Sequence, residues 1–370
     1  MSYQQHTLAA ALTTDGTTDL PVISGTITLD EAWAPYVQAT IVCPMLNLAQ
    51  LTALDPRQAR RTVYLNASHI ELPAGTNSSQ ITCDLMLRSR VIDQNEKTVT
   101  LTLASDEAAL QDYRLMDLTP LIPDGNSLTI TNLVNRVLAR VGLTAATGPQ
   151  DTPLIDPPTA IWKPGVTAWD YLLPLVQKAG LRLWCSEGRR WSLTAPSTDL
   201  VGSVSLYTDQ TVTAVEESID RDGDDWYDAV IVTYTWTNAA GLTQTAADTA
   251  TQPGYSRSLL IEQDTPYPGP GAAAAILSRA IGRGKIITPT AVSNYDARPG
   301  MEFSIAGAAS TPAVGIVAAV SWDFPSNEMT VKSRQLRDIF PYSWRSLAPG
   351  IAWSASPAGG SWANEPIPAP

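Results

Sequence analysis

The chain has 370 residues, long for a single hydrophobic core, so two to four domains are expected. With 44% hydrophobic and 16% charged residues it reads as a packed globular protein, and no stretch reaches the roughly 18 apolar residues of a transmembrane helix. The net charge of −12 disfavours tight binding to nucleic-acid phosphates, which needs clustered Lys and Arg.

From the N-terminus, no Lys or Arg precedes Arg57, so an ordinary secretory signal with its basic first region is not expected. The first hundred residues read as strands. "VISGTITL" (22–29), "YVQATIVC" (36–43), "TVYLNASHIEL" (62–72), "SQITCDLMLRSRVI" (79–92) and "KTVTLTLAS" (97–105) mostly alternate apolar and polar side chains. "DQNE" (93–96) is a hairpin loop, and "DEAALQDYRL" (106–115) a short helix leaving a barrel or sandwich. Cys43, Cys83 and Cys185 are odd in number, far apart and in strand-like surroundings, which reads as buried reduced thiols and assembly in a cytosol.

The period then changes. Ile130, Leu133, Val134, Val137, Leu138 and Val141 fall on one face of a helix that stops at Gly142. After the Pro-rich 148–165 comes "TAWDYLLPLVQKAGLRLWCSEGRRWSL" (167–193). Thr167 is placed to cap a helix carrying Trp169, Leu172, Leu173 and Val176, Pro174 should kink it or delay its regular start, and Gly180 ends it. A hairpin follows, in which Leu181, Leu183 and Cys185 alternate with Arg182, Trp184 and Ser186 before a turn at Glu187-Gly188. Strands return at 211–218, 228–236, 242–247 and 256–262, then an Ala-rich helix at about 272–284, then strands at 285–295, 300–307, 313–324 and 328–336. The pattern is mainly β with an α+β insertion, a duplicated-barrel plan: residues 1–115 as a first barrel, 116–200 as the inserted module, 201–340 as a second barrel with one helix. Residues 341–370 are rich in Pro, Ala, Gly and Ser with Trp344, Trp353 and Trp362 nine apart, and are expected to dock on a groove of another chain.

Reactive chemistry is scarce. His6 and His69 are the only histidines, both read as structural, and no zinc motif, nucleophile elbow or Ser-His-Asp set can be assembled. Gly282-Arg283-Gly284-Lys285 lies at a helix end rather than its start, which argues against a phosphate loop, and "PGPG" (268–271) reads as a plain loop before a helix. Residues 209–228 hold eight carboxylates and one arginine. Within them Asp220, Asp222 and Asp224 have the 1-3-5 spacing of a calcium loop, but the glycine is misplaced and Ile231 stands where the closing glutamate belongs, so a solvated acidic turn is the favoured reading. No cofactor is expected.

The order of "SRVIDQNEKTVTLTLAS", a short helix, then 167–193, and later "NYDARPGMEFSIAG" and "GIVAAVSWDFPSNEMTVKSRQL", resembles the bacteriophage baseplate-hub family, which includes the late control protein of contractile phages and the upper part of type VI secretion spikes. The carrying features are Trp169 near a helix start, Gly180-Leu181 at its end feeding a hairpin, and Pro299-Gly300 before a late strand; Pro174 and the Trp-rich tail depart from the family. The resemblance covers about residues 20 to 337.

It implies a structural tail-tip protein of the virion rather than an enzyme: a homotrimer whose two tail-tube-like barrels per chain give a pseudo-sixfold ring matched to a hexameric tube. The inserted module would brace the ring. Partners would be the distal tail or tail tube protein, the tape measure protein and other minor tail or fibre proteins, with genomic DNA passing transiently through a lumen that the acidic stretch 209–228 partly lines. With no spike or lytic domain after the second barrel, a long-tailed phage with separate tip proteins is expected. The alternatives are a receptor- or carbohydrate-binding tail protein using Trp184, Trp191 and the tail tryptophans as a stacking platform, and a hexameric distal adaptor.

Overall fold

The computed structural model describes residues 3–12, 19–58, 60–72, 78–123, 129–149, 160–195, 202–208, 211–219, 226–238, 240–280, 285–306 and 312–338. Its first part comprises β1 (Tyr3–Leu12), β2 (Asp19–Leu20), β3 (Ser24–Asp30), β4 (Val37–Pro44), α1 (Leu48–Ala53), β5 (Thr62–Leu72), β6 (Ser78–Asp93), β7 (Thr98–Ala104) and α2 (Glu107–Asp112). Alternation does here what it should: Val37, Ala39, Ile41 and Cys43 of β4 are buried while the residues between them are half-buried. Each buried Leu, Ile or Val side chain contributes about 1.5–3 kcal/mol.

The module holds α3 (Ile130–Val141), α4 (Ala168–Lys178), β8 (Arg182–Cys185) and β9 (Trp191–Thr194). The six apolar positions read from sequence in α3 are all buried, and Gly142 closes the helix in the left-handed conformation at φ 75°. Thr167 caps α4 by accepting from the Asp170 N–H at 3.0 Å. Pro174 sits inside α4 and is buried, so its missing N–H is absorbed within the helix rather than ending it. Trp162 stacks on Tyr171 at 4.9 Å and, with α3, α4, β8 and β9, encloses a separate core.

The remainder comprises β10 (Ser203–Tyr207), β11 (Val212–Ile219), β12 (Ala229–Thr237), β13 (Thr243–Thr251), β14 (Ser258–Gln263), α5 (Ala272–Ala280), β15 (Lys285–Val292), β16 (Glu302–Ala306), β17 (Ala313–Phe324) and β18 (Glu328–Asp338). The stretch 201–340, expected to form one barrel with a helix, divides. Strands β12, β13 and β14 make a three-stranded sheet of their own, with α5 packed on it around Val230, Val232, Tyr234 and Ile276. Strands β10, β11 and β15 to β18 instead join β1 to β7 in a 13-stranded sheet. The junction is β17: its Ala313–Ile316 pairs with β16, its Ala319–Phe324 pairs with β3, and β18 runs along its other edge. Residues from both ends of the chain fill one core, from Ile27 and Leu65 to Phe303 and Trp322.

Candidate functional site

The turn of the β8–β9 hairpin is where three parts of the chain are tied together. Ser186 accepts from the Arg189 N–H at 3.0 Å and donates to the Arg190 carbonyl at 2.9 Å, and Arg189 takes a positive φ of 57° to close the turn. The Glu187 carbonyl accepts from the Asp84 N–H of β6 at 2.7 Å. The Glu187 carboxylate accepts from Arg298 Nε at 2.9 Å, from the loop before β16. Arg189 Nε donates to Asp106 at 2.9 Å, at the start of α2, with Asp84 4.0 Å from its other side. Glu107, buried beside it, accepts from the Cys185 N–H at 2.7 Å.

Burial pushes the carboxyls of Asp106 and Glu107 above their ordinary range; Arg189 opposes this for Asp106, and hydrogen bonds from Ser105 and the Cys185 backbone oppose it for Glu107. In the Arg189–Asp106 pair the carboxylate is buried and the guanidinium half-buried, so loss of the arginine would leave a buried carboxyl without its charged partner. The three cysteines are free and buried, and burial raises the Cys83 and Cys185 thiols.

A second joint holds the small sheet to the module. The buried Asp248 of β13 accepts from the N–H groups of Gly271 and Ala273, each at 2.9 Å, capping α5. The loop "PGPG" thus offers one N–H, that of Gly271, to an acceptor, and the acceptor is the protein's own Asp248. Gly271, at φ 131°, would place a Cβ 2.7 Å from the Lys178 carbonyl oxygen at the end of α4.

Of the side chains singled out in the sequence, Asp220, Asp222 and Asp224, Trp344, Trp353 and Trp362, and Gly282-Arg283-Gly284 lie outside the described residues. Among the described residues no group of three or more His, Cys, Asp or Glu could hold a metal. Trp191 is 1% exposed, inside the module core, so it offers no platform for a sugar. Trp184 is half-buried and meets Tyr36 edge-on at 4.9 Å. His6 and His69 are brought together, in register on β1 and β5 with rings stacked at 4.7 Å, and His6 Nδ1 lies 3.3 Å from the Tyr295 hydroxyl. The sequence reading missed the Asp106, Glu107 and Arg189 joint, since no spacing signals a contact across some 80 residues. It also missed the exposed apolar lip of Met116 (83% exposed), Leu118 (98%) and Ile122, beside a cavity of about 230 Å³ between Leu133, Val137 and Trp162.

Comparison with solved structures finds the same fold in phage tail proteins. A prophage MuSo2 43 kDa tail protein from Shewanella oneidensis aligns over 89% of this chain and 98% of its own, with a TM-score of 0.58 and 15% identity. A tail protein from Neisseria meningitidis MC58 aligns over 89% of this chain and 96% of its own, with a TM-score of 0.54 and 12% identity. No family model matches the sequence, and no curated relative does.

Proposed function

We propose that the chain is a structural hub of a phage tail tip, built to assemble rather than to catalyse. The observation that carries this reading is the fold likeness to two tail proteins, one of them from a prophage, over 89% of this chain and nearly the whole of each. The joint at Glu187 and Arg189 supports it, because a half-buried ionic clamp between sheet and module suits a component that must keep its shape within an assembly. In this reading three copies form a ring in the virion. Each chain supplies two tube-like units, one from each β-rich end, so that the threefold ring presents six to the tail tube, and genomic DNA passes through it on ejection. The module, with Met116 and Leu118 at its surface, faces neighbouring tail proteins, while the Trp344, Trp353 and Trp362 segment docks on one of them.

Mass photometry of the purified chain, followed by electron microscopy of the particles, tests the reading. Three copies closed around a channel are expected. A monomer at micromolar concentration, or a ring of six, overturns it, the latter in favour of a distal adaptor.

A further inference from the structure

Neither joint uses the cavity of about 360 Å³ where the large sheet, the module and the small sheet meet. On one wall the Arg182 guanidinium of β8 lies 5.1 Å from the centre of the Tyr36 ring and 5.8 Å from that of Trp184. The two rings fix the guanidinium in place, and its Nη2 is buried with no hydrogen-bond partner among the described residues. Glu31, the carboxylate on the same wall, is taken: Arg334 of β18 donates to it from Nη2 at 3.0 Å and pairs with it again through Nε. Leu259, Ile261 and Ile276 of the small sheet unit add apolar side chains to the lining, with Tyr227 beside them.

A cation held against two rings in a recess, with one of its buried donors unpaired, is under-compensated by the fold, and an entering acceptor relieves that cost. Burial lowers the proton affinity of Arg182, Glu31 being the strongest of the charges that oppose it. The walls select the acceptor. One available guanidinium suits a monoanion better than a phosphate dianion, and the apolar side chains need a hydrocarbon partner; the volume lies within the range of about 300–1,000 Å³ typical of ligand sites. We propose that this cavity is a binding site for a carboxylate borne on an apolar body, as an Asp or Glu side chain beside an apolar residue presents it. The assignment stands on these residues and does not depend on the tail-hub reading.

Saturation-transfer NMR on the full-length chain tests it with three probes: acetyl-Glu-Leu-amide, acetyl-Gln-Leu-amide and 4-methylpentanoate. The Glu dipeptide is expected to bind in the millimolar range, about tenfold more tightly than the Gln dipeptide, and Arg182→Met to abolish that difference. Tighter binding of the dipeptide than of the free acid assigns the site to a protein segment; the reverse assigns it to a small carboxylic acid. Should Arg182→Met not fold, the comparison of Glu with Gln on the unaltered protein decides. Equal binding of the two dipeptides, or no binding of any probe, overturns the proposal.

Discussion

His6 and His69 face each other from adjacent strands at an edge of the large sheet, with Tyr295 above them. Burial first, and the neighbouring His69 second, lower the pKa of His6 below its ordinary 6.5. The unfolded chain therefore takes up this proton at a higher pH than the folded one. Stability is greatest above that ordinary value and falls as the pH drops from there to the lowered folded value. Hydrogen exchange of the β1 amides, corrected for intrinsic rate, should accelerate between neutral pH and mild acid, and His6→Gln should remove the pH dependence. Glu107 has the opposite sign. Its raised carboxyl contributes stability that is complete below the ordinary 4.5 and is lost as the pH rises through its folded value. Glu107→Gln keeps an acceptor for the Cys185 N–H and should be no less stable than the parent at neutral pH. Glu107→Ala leaves that buried N–H unpaired and should cost about 1–3 kcal/mol in chemical denaturation.

Among the elements, those with their own periodicity were legible from sequence. The i, i+3, i+4 face of α3, the Thr167 cap of α4 and the alternation of β3 to β7 depend on local residues, and each was read within a few positions. β1 was missed because "YQQHTLAAAL" has no apolar alternation at its start and gains its place only by pairing with β5. α1 was missed although Asn47 and Gln50 form a capping box, a signal present in the sequence. The parallel pairing of β12 with β14 follows from tertiary packing, which no single strand announces. At the α4–α5 contact, where Gly271 meets the Lys178 carbonyl, Gly271→Ala should destabilise by more than the roughly 1 kcal/mol of its φ alone, since a backbone atom must move. Asp248→Ala should cost about 0.5–2 kcal/mol through loss of the α5 cap. Thermal unfolding of both variants, followed by circular dichroism, checks this.

For the molecule as a whole, the mainly β composition with an α+β insertion was visible in sequence, while the connection between the ends was not. The single core containing Ile27 and Trp322, and the bond from the Tyr295 N–H to Ser79 at 3.1 Å, join segments more than 200 residues apart. The candidate site was less legible still. The hairpin with its turn at Glu187-Gly188 was legible from alternation, but its charged turn gained meaning only when Asp84, Asp106 and Arg298 arrived from elsewhere in the chain.

The seam between β3 and β17 also sets the order of events on the ribosome. β3 emerges early and its neighbour β4 soon after, but the ladder partner on its other side, Ala319–Phe324, is translated almost 300 residues later. Until then the nascent chain carries a bare strand margin running from Gly25 to Asp30, open to pairing with the wrong neighbour. A polypeptide stopped at residue 200 should accordingly precipitate or cling to holding chaperones, and a separately supplied 201–338 fragment should rescue it by supplying the missing edge; recovery in the soluble fraction on co-expression is the readout.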